Sequence, residues 1–262
     1  MHPTARFGHL LSLPDEEVPL DEAVLLIAAH AHPDLDIAKQ RARLDELAAG
    51  CVNRTVDGVL THVFDHHGFM GDRDDYRNPE NLFLDSVLDR GLGIPISLAV
   101  LLIEVGRRVG VPFEGVGMPH HFLARHPGPP PVLIDPYGRG QRLDLAGAAA
   151  LFHAGAGPDA PFDPTSMLAP ATNRETIFRF LSNLKQTYTA TQDREALLWV
   201  LRLRTLVPGT PLSESAQLAG VLASSGRASE AADLLDELSM RLPADAAERA
   251  KRKARMLRAT LN

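Results

Sequence analysis

The chain has 262 residues, 45% of them apolar, 23% charged and 5% aromatic. That apolar content excludes a disordered or fibrous chain, and the length fits one large domain or two modest ones. A net charge of −6 argues against a general binder of nucleic acid or anionic membrane, because phosphate contacts need a basic surface.

Cys51 is the single cysteine, so a disulfide framework and a cysteine-rich zinc site are excluded within one chain. Residues 1–20 carry Arg6, Asp15, Glu16 and Glu17 and lack the basic-then-apolar layout of a signal peptide. The strongest apolar run, 96–109, is interrupted by Glu104, Arg107 and Arg108 and is too short to span a bilayer. The reading is a soluble cytoplasmic protein.

Along the chain, Val24, Leu25 and Ala28 recur at helical spacing after the capping candidate Asp21. Pro33 and Asp34 restart the pattern, and Ile37, Leu44, Leu47 and Ala48 form the stripe of a second helix. Residues 55–64 give a third. The polar stretch 68–81, dense in Gly, Asp, Arg and Asn, is a loop. Residues 82–88 suit a short helix, and Gly91 to Gly93 a turn. Pro95 then suits a helix start, where the missing N–H has no intrahelical partner. The helix that follows, 97–109, is apolar on most faces and therefore central and buried. Gly110-Val111-Pro112 stops it. Short strands are expected at 113–118, 121–125 and 132–135, and a buried helix followed by short strands is an α+β arrangement.

A proline-rich break covers 154–170, and everything beyond it reads as helix. There a repeat is visible: Tyr188 and Leu222 occupy equivalent places 34 residues apart, and Pro208 and Pro243 end two units. Gly226 marks a turn between helices, and Ala231, Leu235 and Leu238 form an apolar stripe. The period belongs to tetratricopeptide repeats, although Lys185 stands where the first unit would carry a small residue.

Gly71-Asp-Arg-Asp-Asp-Tyr76, Asn81, Val87-Leu-Asp-Arg90, Gly93-Ile-Pro-Ile-Ser-Leu98 and His121-Phe-Leu-Ala-Arg125 resemble the bacterial SirB-type family. The resemblance implies a transglutaminase-like, papain-like domain with N-terminal helices, at 1–160, and an all-α tetratricopeptide-like repeat region at 161–262. The transglutaminase-like superfamily works by a Cys-His-Asp triad, its cysteine at the start of a buried helix where the helix dipole favours the thiolate. Its pattern is Gly-x-Cys, a helix ending Gly-Ile-Pro, a histidine before an apolar strand, then Asp-Pro. Here the matching positions are Gly110-Val-Pro112, His121 and Asp135-Pro136. Counting back through the helix, the nucleophile position falls on Pro95.

Proline offers no nucleophile. Ser97 lies about 200° further around the helix and reads as a hydroxyl bonded to first-turn backbone groups; Cys51 reads as a small packing residue. His62, His66 and His67 include an i, i+4 pair of zinc-ligand spacing, but no His-Glu-x-x-His pattern follows, and no metal is expected. The acidic stretch Asp72, Asp74, Asp75 lacks the glycine and terminal glutamate of a calcium loop; Asp74, Asp75, Tyr76 and Asn81 are instead expected to line the remnant cleft. The basic residues 249–258 read as a solvated helix face.

The expected function is a non-catalytic, transglutaminase-like protein that binds a protein or peptide through its repeats in a regulatory role, with no cofactor, nucleic acid or membrane involved. The alternative is a hydrolase or acyl transferase using Ser97, or another residue, with His121 and Asp135.

Overall fold

The computed structural model describes residues 2–260. They form two compact units that divide between Asn183 and Leu184.

The first unit opens with α1 (Pro3–Leu11), α2 (Leu20–Ala31), α3 (Ile37–Ala49) and α4 (Val56–Leu60). α2 buries almost every side chain, including Asp21, which is fully enclosed. Three arginines make that tolerable: Arg108 Nη2 lies 2.6 Å from the Asp21 carboxylate, Arg41 Nε 3.2 Å and Arg107 Nη2 3.7 Å. A buried carboxylate without such partners would be neutralised or expelled. The third sequence-predicted helix is only partly an α-helix. After Leu60 it widens into a π-helical turn, Thr61–His66, where the His67 amide reaches back to His62 O.

A short parallel pair follows, β1 (Met70–Gly71) with β2 (Leu92–Gly93), enclosing the polar loop and α5 (Leu84–Arg90). The central element is α6 (Pro95–Val109). Ile96, Leu98, Val100, Leu101 and Leu102 are all fully enclosed, as its all-round apolar pattern requires. Gly110 ends it with φ +79°, a left-handed conformation that a Cβ would strain. Gly106 is needed for a different reason: a Cβ there would sit 2.4 Å from the Phe113 ring.

An antiparallel meander, β3 (Glu114–Val116), β4 (Leu123–His126), β5 (Val132–Asp135) and β6 (Gln141–Leu143), packs beside α6. α7 (Leu145–Ala156) and α8 (Pro164–Met167) are followed by Leu168, and Ala148, Phe152 and Leu168 close over Val116, Met118, Leu123 and Leu133 of the sheet region.

The proline-rich break predicts a boundary at 160/161, but the compact units divide at 183/184. The reason lies at the start of α9 (Asn173–Ala190). Asn173 donates through its amide to Asp15 Oδ2 at 2.9 Å and through Nδ2 to Val18 O at 2.9 Å. Arg174 donates to Leu11 O at 3.1 Å and also to Leu13 O. These bonds tie the first turns of α9 to the N-terminal helices.

The second unit continues through α10 (Arg194–Leu206), α11 (Leu212–Ser224), α12 (Ala228–Ser239) and α13 (Ala244–Ala259). Gly226, at φ +76°, turns the chain between α11 and α12. Ala231, Leu235 and Leu238 are buried, as their spacing predicts. Arg204, 5% exposed at its side chain, and Lys185 converge on Glu214. No described helix is long and apolar enough to cross a membrane.

Candidate functional site

Strand register brings the site together. Ala124 pairs with Ile134, so continuing the ladder puts Leu123 opposite Asp135. His121 lies just before β4 and Asp135 ends β5, so the two meet at neighbouring strand ends. His121 Nε2 lies 2.8 Å from Asp135 Oδ1, and both side chains are nearly enclosed, at 13% and 8% exposure. The Tyr137 amide donates to the same oxygen at 3.1 Å. Gly138 leaves room for the other oxygen, since a Cβ there would stand 2.7 Å from Oδ2.

An ionised Asp135 requires a hydrogen on Nε2, which leaves Nδ1 of a neutral imidazole with a free lone pair. Among the described residues, no side chain is hydrogen-bonded to Nδ1. The arrangement can orient an imidazole and stabilise its protonated form, as the histidine–carboxylate half of a triad does.

Tyr137 links this pair to the acidic loop. Its ring stands edge-on to His121, with centroids 6.4 Å apart, and its hydroxyl donates to Asp72 O at 2.7 Å. Gly71 makes the approach possible, because a Cβ there would meet the ring at 2.4 Å. Tyr76 lies edge-on to Tyr137 on the other side, at 5.9 Å, and is half exposed. Burial pushes both phenols above their ordinary range.

The acidic loop is built by Asp72. Its Oδ1 accepts from the amides of Asp75 (3.0 Å) and Asp74 (3.2 Å), and its Oδ2 faces Arg90 Nη2 at 3.1 Å. The Asp75 amide first, then Asn81, the Asp74 amide and Arg90, hold this carboxyl below the usual range against the opposing effect of burial.

Asn81 departs from its expected place. It is fully buried, donating to Asp75 O at 2.7 Å and accepting from Arg90 Nη1 at 2.8 Å, so it ties the loop from inside rather than lining a cleft. Asp74, Asp75 and Tyr76 are exposed.

Pro95 is the first residue of α6, buried at its N-terminus. Two residues on, Ser97 is 1% exposed. Its Oγ donates to Asn81 O at 2.5 Å and accepts from the Ile94 amide at 3.0 Å. The hydroxyl closes the helix start onto the residue-81 segment, and none of its bonds goes to His121. Cys51 is buried at the end of α3, with Sγ 3.4 Å from Asn53 O, and burial pushes its thiol up, away from thiolate reactivity. It lines a cavity of about 290 Å³ with His62 and His66. His62 is already committed there, its Nε2 donating to Leu47 O at 2.8 Å. Among the described residues no group of three His, Cys, Asp or Glu is arranged to hold a metal ion.

Tyr137 and the loop-building roles of Asp72 and Arg90 are not singled out by the sequence. The only signal for Tyr137 is its place directly after Asp135-Pro136.

Residues 29–182 match the transglutaminase-like superfamily. The chain belongs to that superfamily. The match ends almost where the first compact unit does. The chain is 35% identical over 221 residues to a UPF0162 protein of Xylella fastidiosa, covering 78% of each. It is 31% identical over 195 residues to UPF0162 protein PA3419 of Pseudomonas aeruginosa, covering 71% of each. F-box only protein 21 of Homo sapiens is 34% identical over 122 residues, which are 44% of this chain and 19% of that protein. No solved structure matches the chain.

Proposed function

We propose that this is a non-catalytic member of the superfamily, of the SirB type, whose remnant cleft and helical tail bind a protein or peptide partner in the cytoplasm. The observation that carries the reading is Pro95 at the head of α6, where the superfamily pattern expects cysteine, with the nearby Ser97 proton bonded to Asn81 O. A nucleophile must have its proton within reach of the base. Among the described residues no hydroxyl or thiol is bonded to His121, while Asp135 still orients it.

Support for the binding half comes from the second unit. Its helices are joined by tight turns at Gly209 and Gly226 and bury small residues such as Ala219, Ala231 and Ala232. This is the packing economy of stacked helix-pair repeats, whose concave faces take peptides. Tetratricopeptide repeats are the reading that fits the 34-residue spacing of Tyr188 and Leu222. The intact His121–Asp135 pair is the one observation favouring the hydrolase or acyl-transferase alternative.

Wild type and His121→Ala, assayed side by side on ester, amide and glutamine-donor substrates, separate the two readings. The non-catalytic reading expects equal rates on every class. A rate that falls about tenfold or more in His121→Ala, the scale of a lost general base, would establish the enzyme. Binding is tested on an immobilised peptide array, where wild type is expected to select a consensus that substitutions on the concave face of the helical tail erase.

A further inference from the structure

Arg179 is out of keeping with most of its partly buried neighbours. Arg90, Arg108 and Arg174 each hold several acceptors. Arg179 is half-buried in α9, yet among the described residues it makes neither a hydrogen bond nor an ion pair. Its natural helical partner is Glu175, one turn earlier, since Glu and Arg at i, i+4 ordinarily pair. Glu175 is committed elsewhere. Its Oε2 accepts from the Thr172 amide at 2.8 Å while its own amide donates to Thr172 Oγ1 at 3.2 Å, a reciprocal cap on the start of the helix.

Arg179 lines a cavity of about 300 Å³ together with Gly117, Phe122, Ser166, Met167, Pro170 and Glu175. The hollow mixes polar and apolar lining and carries two side chains of opposite charge, Glu175 and Arg179; concave sites that take small ligands place a few convergent polar groups in this way. The wall is fixed, because the Ala171 amide donates to Gly115 O at 2.8 Å and joins this segment to the sheet. Tyr76 lies within electrostatic reach of Arg179. Burial also weakens the hold of the guanidinium on its proton, a cost that an anionic ligand would offset.

We propose that this cavity is a carboxylate-binding pocket, in which Arg179 clamps the carboxylate of a peptide C-terminus or of a small carboxylic acid while Phe122 and Met167 receive the attached apolar group. Arginine presents a planar fork that fits a carboxylate with two parallel hydrogen bonds. A single guanidinium with Glu175 on the wall suits a monoanion and disfavours a phosphate dianion. The pocket goes beyond the function proposed above and needs neither a working nor a failed dyad at His121.

The test is a titration of the ¹⁵N-labelled full chain with N-acetyl-leucine and with its neutral amide, followed by NMR at Gly117, Ala171 and Arg179 Nε. The acid is expected to give saturable shifts and the amide none. Arg179→Gln should weaken the acid about ten- to a hundredfold, the range for a lost charged hydrogen bond. Gly117→Leu should weaken it while keeping Arg179, because Gly117 faces open space that the new side chain would fill. An acetylated peptide ending in a free leucine that binds more tightly than N-acetyl-leucine identifies a peptide C-terminus as the ligand; equal affinity identifies a small acid. The proposal is overturned by acid and amide behaving alike, by no saturable binding of either acid, or by full affinity in a folded Arg179→Gln. If Arg179→Gln does not fold, unchanged affinity in Gly117→Leu overturns it instead.

Discussion

Ser97 shows how one hydroxyl can be removed from chemistry by its surroundings. It is enclosed, and its single proton goes to Asn81 O while it accepts from the Ile94 amide. Ser97→Ala should therefore act on stability and not on any rate. The substitution removes two buried hydrogen bonds, about 0.5–1.5 kcal/mol each, while the Ile94 amide keeps its 3.3 Å bond to Asn81 O; the loss is readable as a lower denaturation midpoint. Retained stability, or a lost activity, would contradict this account of the residue. The same scale explains what the sequence could and could not reveal. His121 and Asp135 are legible through the resemblance, which matches them to the histidine and the Asp-Pro of the superfamily pattern. Asn81 is legible as a marked residue but not in its role, because that role depends on Arg90 and on the loop carbonyl at Asp75, which only folding brings within reach.

Among the elements, α6 is the most legible, because an apolar residue on every face can only be a buried helix. α7 escapes sequence reading. It buries little beyond Ala148 and Phe152, so its stripe is too thin to stand out from the proline-rich break. The π-helical turn after Leu60 escapes too, since one extra residue in a turn leaves no mark on an amphipathic pattern.

α11 carries an element-scale prediction. Glu214 in its first turn accepts from Arg204 Nε (2.8 Å) and Nη2 (2.9 Å) and from Lys185 Nζ (2.9 Å). Arg204 chiefly, and Lys185 after it, hold the carboxyl down to about 2 although burial opposes them. A folded-state value below the unfolded one near 4.5 means that the pairing adds stability above about pH 4.5 and loses it as pH falls through about 2. Glu214→Gln should cost about 2 kcal/mol at neutral pH, and its gap from wild type should close over that acid window. Trp199, in α10, is the single tryptophan of the chain and reports this unit by its fluorescence. A gap that stays constant with pH would refute the assignment.

For the whole molecule, composition allows one domain or two, and the compact units number two, divided inside α9 rather than at the prolines. Proline density is a local signal, whereas the boundary depends on bonds from Asn173 and Arg174 to residues more than 150 positions earlier. The site has the same character. Tyr137 reaches Asp72 across 65 residues and joins the meander to the acidic loop, so one half of the site positions the other. We propose that this scaffold keeps the histidine–aspartate half of a triad and lacks the nucleophile.

The most direct measurement installs a thiol by Pro95→Cys in a Cys51→Ala background and follows its alkylation by iodoacetamide against pH. With the imidazole in reach, the thiol should titrate well below the ordinary range near 8.5. Adding His121→Ala should return it to that range. A thiol that titrates normally, or one indifferent to His121→Ala, would contradict the placement of Pro95 at the nucleophile position and with it the proposed loss of the nucleophile.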